Sequence, residues 1–320
     1  MKHNYPKIGL GKFCQLLGIT RQANYQHFWH QEQLAFEDEL IVLEVLKIRK
    51  NHRHMGGRKL YELLQPFLLK HQIKMGRDRL FDVLSANYLL VRRKKKPTIT
   101  TDSFHRFKKY PNLIRDFVPT CSNQLWVSDI TYWRIKDSFT YISFVTDAYS
   151  RKIVGYHLGD SLQTSETIQA LEMAISNLPD EHKNEIQLIH HSDRGTQYCS
   201  IEYIKLLDYN NLSISMTENG DPLENAIAER VNGIIKEEYL DDYQIEDIQE
   251  AKELLDAVIK LYNNERPHMS IGNLTPNQVH QYNLKTEKLW KNYYKKSYHC
   301  KPITGLKMSC KSILGLSINM

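Results

Sequence analysis

The stretch Trp126-Val127-Ser128-Asp129-Ile130-Thr131-Tyr132-Trp133-Arg134-Ile135 decides the fold. It is rich in aromatic and β-branched residues, as a buried strand requires, apart from one carboxylate, Asp129, set in its interior. A carboxylate inside such a strand is costly unless something cationic meets it. Two more extended runs follow across short turns, Phe139–Tyr149 and Lys152–Leu158. Beyond them the period changes. The pattern predicts a helix over Ser165–Leu178, a strand at Ile186–His191, a helix over Ile201–Asn210 and a short strand at Ile214–Met216. Two further helices are predicted, over Asn225–Leu240 and Ile248–Asn263.

Three meander strands followed by alternating helix and strand is the element order of an RNase H-like fold, an α/β domain with a mixed five-stranded sheet and flanking helices. Within that order two more acids occupy special places. Asp193 ends the fourth strand, where His190-His191-Ser192-Asp193 gives way to the Gly195 loop. Glu229 falls in the first turns of the Asn225–Leu240 helix. There Asn225, Glu229, Asn232 and Lys236 recur on one face, with Ile227, Val231, Ile234 and Ile235 opposite. Taken alone, such a stripe is an ordinary solvated helix face.

Three acids on adjacent elements have a chemical reading. Hard divalent cations prefer oxygen ligands, and Mg²⁺ uses few carboxylates while keeping water and substrate phosphate in its shell. Two such ions, about 3.5–4 Å apart, activate an attacking hydroxyl and stabilise the leaving oxygen of an in-line phosphoryl displacement. Asp129, Asp193 and Glu229 are therefore the candidate catalytic residues and ligands of two Mg²⁺ ions, with Mn²⁺ as a substitute. Lys236 is expected to reach a phosphate nearby, and Asn225 and Asn232 are taken as DNA contacts on the same stripe.

Upstream, the sequence is helical and basic. Lys12–Phe28 reads as a short helix, a turn at Gly18, an N-cap at Thr20 and a second helix, which fits a helix-turn-helix or a plain helical hairpin equally. Residues 32–50 form an amphipathic helix, a third helix opens at His54-Met55-Gly56-Gly57-Arg58, and a fourth opens at Gly76-Arg77. Five consecutive cations follow, Arg92, Arg93, Lys94, Lys95 and Lys96, and make a phosphate-tracking arm. With Arg58, Arg77 and Arg79 they are the candidate DNA-binding residues of this part. The expected organisation is a helical DNA-binding region over 1–96, a linker over 97–120, the catalytic core over 121–284 and a basic tail over 285–320.

Charge follows the same division. Residues 1–110 hold 22 Lys/Arg against 9 Asp/Glu, residues 111–284 hold 13 against 27, and residues 285–320 hold 8 against 1. Basic ends around an acidic middle suit a protein that grips a polyanion with its ends and brings metal cations to its central carboxylates. No apolar run approaches a membrane span, and the start, Met1–Lys7, lacks the apolar core of a signal peptide, which points to the cytoplasm. The five widely spaced cysteines form no Cys-x-x-Cys pair and fit reduced thiols. His190 and His191, adjacent on a strand, point to opposite faces and are not expected to share a zinc ion. His52 and His54 lack cysteine partners at finger spacing. Arg266 and His268 are open to either DNA or the protein body.

The motifs together resemble the OrfB-type transposases of the insertion-sequence-three family, within the DDE transposase and retroviral-integrase superfamily. The carriers are Trp126-x-x-Asp129-Ile130-Thr131-Tyr132, His191-Ser192-Asp193-Arg194-Gly195-Thr196-Gln197-Tyr198 and Glu224-Asn225-Ala226-x-Ala228-Glu229. Tyr262-Asn263-x-x-Arg266-Pro267-His268 and Leu274-Thr275-Pro276 add to them. The spacing from Asp193 to Glu229 and the basic Lys236 also match. The resemblance implies metal-dependent cleavage at the ends of a mobile element and joining by 3′-OH attack on phosphodiester, without a covalent protein–DNA intermediate. It implies terminal inverted repeats and target DNA as substrates, a homo-oligomer on DNA, and a bacterial, nucleoid-associated location. It also implies an upstream OrfA-type product, with a helix-turn-helix and leucine zipper, as fusion or partner. A catalytically inactive DNA-binding regulator and a structure-specific nuclease are the alternatives.

Overall fold

The computed structural model describes residues 9–91, 107–136, 138–179, 187–218 and 222–289. The expected phosphate-tracking arm, Arg92, Arg93, Lys94, Lys95 and Lys96, lies outside the described residues, as does the tail from 290 onward.

The basic amino-terminal part is all helical. Helix α1, Leu10–Leu16, ends at a turn in which Gly18 adopts φ +68°. Thr20 then caps α2, its hydroxyl accepting the Ala23 N–H at 3.0 Å. Helix α2 runs unbroken over Arg21–Asn51, so the second hairpin helix and the 32–50 helix are one element. Trp29, His30 and Gln31 between them carry no Gly or Pro, and nothing in the chain stops the helix there. Helices α3, Gly57–Lys70, and α4, Arg77–Ala86, fold back on it. Their shared core is Ile41 and Val45 of α2 with Leu60, Leu64, Leu80 and Leu84.

The sheet has five strands: β1, Leu125–Ile135; β2, Ser138–Asp147; β3, Ile153–Gly159; β4, Ile189–Ser192; and β5, Ser213–Met216. Their spatial order is β3-β2-β1-β4-β5. The meander pairs are antiparallel, whereas β4 joins β1, and β5 joins β4, in parallel. Two parallel additions need crossovers, supplied by α5, Thr164–Ser176, and α6, Ile201–Tyr209. This is the mixed sheet of an RNase H-like fold.

Alternation along β1 separates two cores. Trp126 packs with α5 and α6 through Ala170, Leu171, Tyr203 and Leu207. Trp133 and Ile135 face the opposite layer, with Val231, Ile234, Leu255 and Ile259. Helix α5 lies so close to β3 that a Cβ at Gly155 would stand 2.1 Å from the Ala170 carbonyl oxygen, so only glycine fits there.

The second layer is built from α7, Ala226–Ile234, α8, Ile248–Glu265, and a short α9, Pro276–Tyr282. The predicted Asn225–Leu240 helix is in fact three pieces: a 3₁₀ turn over Pro222–Asn225, α7, and a π-helical turn over Ile235–Leu240. The π-turn closes with the Asp241 N–H on the Lys236 carbonyl at 2.9 Å. Gly233, just ahead of it, weakens the α-helical register.

Part of the expected linker is attached to the core. The Leu113 N–H donates to Ser215 Oγ at 2.9 Å, the Asn112 N–H to Glu218 at 3.0 Å, and Ile114 and Phe117 pack beside Leu125 and Val127. The described residues up to Leu289 belong to one compact unit, in which the helical region meets the core, as where His52 meets the Tyr239 hydroxyl.

Candidate active site

Strand pairing brings the two aspartates together. Ser128 of β1 pairs with Ser192, the last residue of β4, so Asp193, just past the end of β4, stands beside Asp129, which stays inside β1 and pairs with Phe144 of β2. Helix α7 is tied over this point by two buried amides. Asn225 donates to the Ser128 carbonyl at 3.1 Å, and Asn232 donates to Asp129 Oδ2 at 2.8 Å. Glu229 lies between them on the same helix and is exposed at the rim.

The electrostatics of Asp129 record the crowding. Burial first, then the Asp193 carboxylate, and then Glu229, push its carboxyl up to about 8, against the Ile130 N–H and the Asn232 amide. The Ile130 N–H reaches Asp129 Oδ1 at 2.9 Å, and the Gly195 N–H reaches Asp193 Oδ1 at 2.9 Å. A carboxylate has about four lone-pair sites, so each Asp129 oxygen keeps acceptor capacity beyond these bonds. As the side chains lie, no three His, Cys, Asp or Glu among the described residues close into a chelating group.

The expected DNA contacts divide. Asn225 and Asn232 are each only 5% exposed, and their amides hold β1, which corrects their reading as DNA-binding residues. Arg79 is engaged with Glu37 at 3.1 Å and Asp38 at 2.7 Å, a tie between α4 and α2. Lys236 is half-buried, with its ammonium 3.9 Å from the centroid of the Tyr132 ring. Burial lowers its pKa, opposed by Asp241 and Glu237. Arg58 and Arg77 are exposed, the latter 3.5 Å from Asp78.

The histidines are structural. His190 meets Ser128 Oγ at 2.8 Å and Tyr203 Oη at 3.0 Å, and burial drives its pKa down to about 3. His191 meets Ser215 Oγ at 2.8 Å on the opposite face, lowered by burial to about 4. Both pack within the protein. Asp147, fully buried, accepts the Asn123 N–H and the Ser150 N–H and hydroxyl, a strand-end clamp. Arg266, also fully buried, forks onto Glu238 at 2.7 and 2.8 Å and touches His268 at 2.9 Å, so both belong to the body. Sequence reasoning missed this cluster. Its only trace was the Tyr262–His268 motif, which has no periodicity to betray burial.

Comparison with known proteins identifies the family. Two families, each described as Integrase core domain, match residues 119–222 and 210–276. The 31 kDa protein of insertion element IS600 from Shigella sonnei is 33% identical over 267 residues, spanning 82% of this chain and 95% of that protein. The chain belongs to the insertion-sequence-three family of DDE transposases. Other relatives of this family member include the transposase for insertion sequence element IS629 from Shigella sonnei, 27% identical over 84% of this chain and 90% of that protein. The transposase for IS904 from Lactococcus lactis is 31% identical over 54% of this chain and 68% of that protein. Among solved structures, the integrase catalytic core domain of HTLV-2 in complex with magnesium aligns over 50% of this chain and 97% of that one, at 21% identity and a TM-score of 0.40. No helix among the described residues is long and apolar enough to cross a membrane.

Proposed function

We propose that this DNA transposase cuts DNA at the terminal inverted repeats of an insertion sequence and joins the freed 3′-OH to target phosphodiester, with Asp129, Asp193 and Glu229 as its catalytic residues. The observation that carries the assignment is geometric: Asp129 within β1 stands beside Asp193 just past β4, under the helix that bears Glu229, and these neighbours, with burial first, hold the Asp129 carboxyl above its ordinary range. Three hard oxygen donors from β1, the end of β4 and α7 crowd negative charge that a divalent cation would relieve. The donor set therefore fits Mg²⁺ or Mn²⁺, and DDE chemistry depends on a divalent metal. Bound between these carboxylates, two such ions would activate the attacking oxygen and stabilise the leaving one.

The chain's own residues do the rest. Asn232 and Asn225 fix Asp129 and the α7 backbone relative to β1, so the three acids keep one arrangement. Lys236, held over Tyr132, supplies a cation for a DNA phosphate. The exposed Arg58 and Arg77 give the helical region phosphate contacts. The proposed organisation is a helical DNA-binding region before the catalytic core and a basic tail after it. Two element ends call for at least two copies on DNA, and an OrfA-type product is the proposed fusion or partner for end recognition.

The test incubates DNA carrying the terminal repeats with the chain and Mg²⁺ or Mn²⁺, beside its Glu229→Gln variant. Nicked and joined products from the wild type, reduced by a factor on the order of 10³ in the variant, are expected, because several kcal/mol of charge stabilisation is removed. Nicking without joining would indicate a nuclease, binding without chemistry a regulator, and equal activity in both proteins would remove Glu229 from the site.

A further inference from the structure

The junction between α2 and α3, residues 52–59 with His54-Met55-Gly56-Gly57-Arg58 at its centre, has no part in the metal chemistry, yet its side chains are bonded to another part of the chain. Nearly all of its polar partners lie on one short stretch, the π-turn after the Glu229 helix and the residues just beyond it. Lys59 Nζ lies 3.2 Å from Glu238 Oε1, and the His54 N–H donates to the Glu238 carbonyl at 3.3 Å. His52 Nδ1 meets the Tyr239 hydroxyl at 2.9 Å, while His52 Nε2 meets Glu265 at 3.2 Å. His54 contacts Asp242, and the Arg53 guanidinium sits 4.1 Å from the Tyr243 ring centroid. Met55 beneath them is fully buried.

At the centre stands Glu238, its side chain 12% exposed, with Lys59 at 15% and Arg266 at 0%. One carboxylate thus joins a cation from the helical region to a cation from the loop after α8. The α-helix that presents Glu229 continues straight into this turn, with Lys236 two residues ahead of Glu238. A π-turn closes i→i+5 bonds in place of the α-helical i→i+4 and is rare, so packing around it selects it over a continued α-helix. The Glu238 contacts do so from both sides.

We infer that Glu238 is a positioning residue: through its bridge between Lys59 and Arg266, docking of the amino-terminal helical region holds the π-turn and thereby sets Lys236 and Glu229 over the catalytic aspartates. The helical region is then part of the active site's framework as well as a DNA-binding appendage. The inference rests on the proposed role of Glu229 for its catalytic consequence alone. The mechanical link between Lys59, Glu238 and α7 stands independently of it.

The test uses the full chain and the variants Lys59→Met and Glu238→Gln. Lys59→Met removes the ion pair between Glu238 and the helical region while leaving the Glu238–Arg266 pair intact, and so keeps the question answerable if Glu238→Gln fails to fold. Hydrogen exchange is read over residues 226–240, with α5 as the internal control. The expected result for Lys59→Met is at least fivefold faster exchange across the π-turn and α7, with α5 unchanged. On end-bearing DNA, its cleavage rate constant should fall about tenfold while DNA affinity stays within twofold, and Lys59→Arg should restore both readouts. Unchanged exchange in α7 would overturn the inference, as would exchange rising equally in α5. Should the wild type prove inactive on such DNA, the proposed function fails and the exchange result still decides the coupling.

Discussion

Asp129 on β1 and Glu238 on the π-turn are both drawn away from water, and burial drives the pKa of each upward. Their neighbours then send them in opposite directions. Around Asp129 stand Asp193 and Glu229, and its carboxyl rises to about 8. Around Glu238, Arg266 first and Lys59 next overcome the effect of burial and pull its carboxyl down to about 2. The second carboxylate carries its counter-charges within the fold and acts as a fastener. The first is surrounded by its own kind, an arrangement that favours a proton or a cation from outside.

Removing a counter-charge from the fastener gives the largest expected change in stability. Arg266→Met leaves Glu238 buried with Lys59 alone, and unfolding in urea should show a loss of about 3–5 kcal/mol. A loss below roughly 1 kcal/mol would mean that water already reaches the pair, and the contrast with Asp129 would lapse.

A smaller effect, of opposite sign, belongs to the site. A carboxyl whose folded pKa is raised stabilises the fold fully below its unfolded pKa and loses that contribution as pH rises through the folded value. In metal-free protein, Asp129→Asn should therefore gain in melting temperature relative to wild type between about pH 4 and pH 8. Mg²⁺ at pH 8 should close the gap by stabilising the wild type alone. A gap independent of pH would show that Asp193 and Glu229 do not act on Asp129.

The smallest effects separate the arginines of the helical region. Arg79, paired with Glu37 and Asp38, should cost about 0–1 kcal/mol of stability on change to Gln and leave the salt dependence of DNA binding intact. Arg58→Gln should lower that salt slope by about 1, as loss of one phosphate contact does. Equal slopes for the two variants would restore Arg79 as a DNA contact.

The sheet was legible because its signals are local: β1, β2 and β3 are long aromatic and β-branched runs with short turns between them. The acids were legible for a related reason, since Asp129 contradicts the strand that carries it. Helix continuity was less so. Nothing in Trp29–Gln31 announces that α2 continues, and the π-turn at Ile235 is held by partners almost two hundred residues away in the chain. Partners 97 and 103 residues away hid the roles of Asn225 and Asn232 in the same way. A polar stripe on a helix reads as solvent-facing until tertiary packing turns two of its members inward, onto Ser128 and Asp129. Arg266 shows the limit most plainly, because a buried arginine can be recognised only with its carboxylate in view.

The most direct measurement is anomalous diffraction from crystals of the chain soaked in Mn²⁺. Density is expected between the carboxylates of Asp129 and Asp193, extending toward Glu229, with a second peak once a DNA end is bound. The Asp129→Asn variant should show none. Mn²⁺ bound elsewhere, with the space between Asp129 and Asp193 empty in the wild type, would contradict the account.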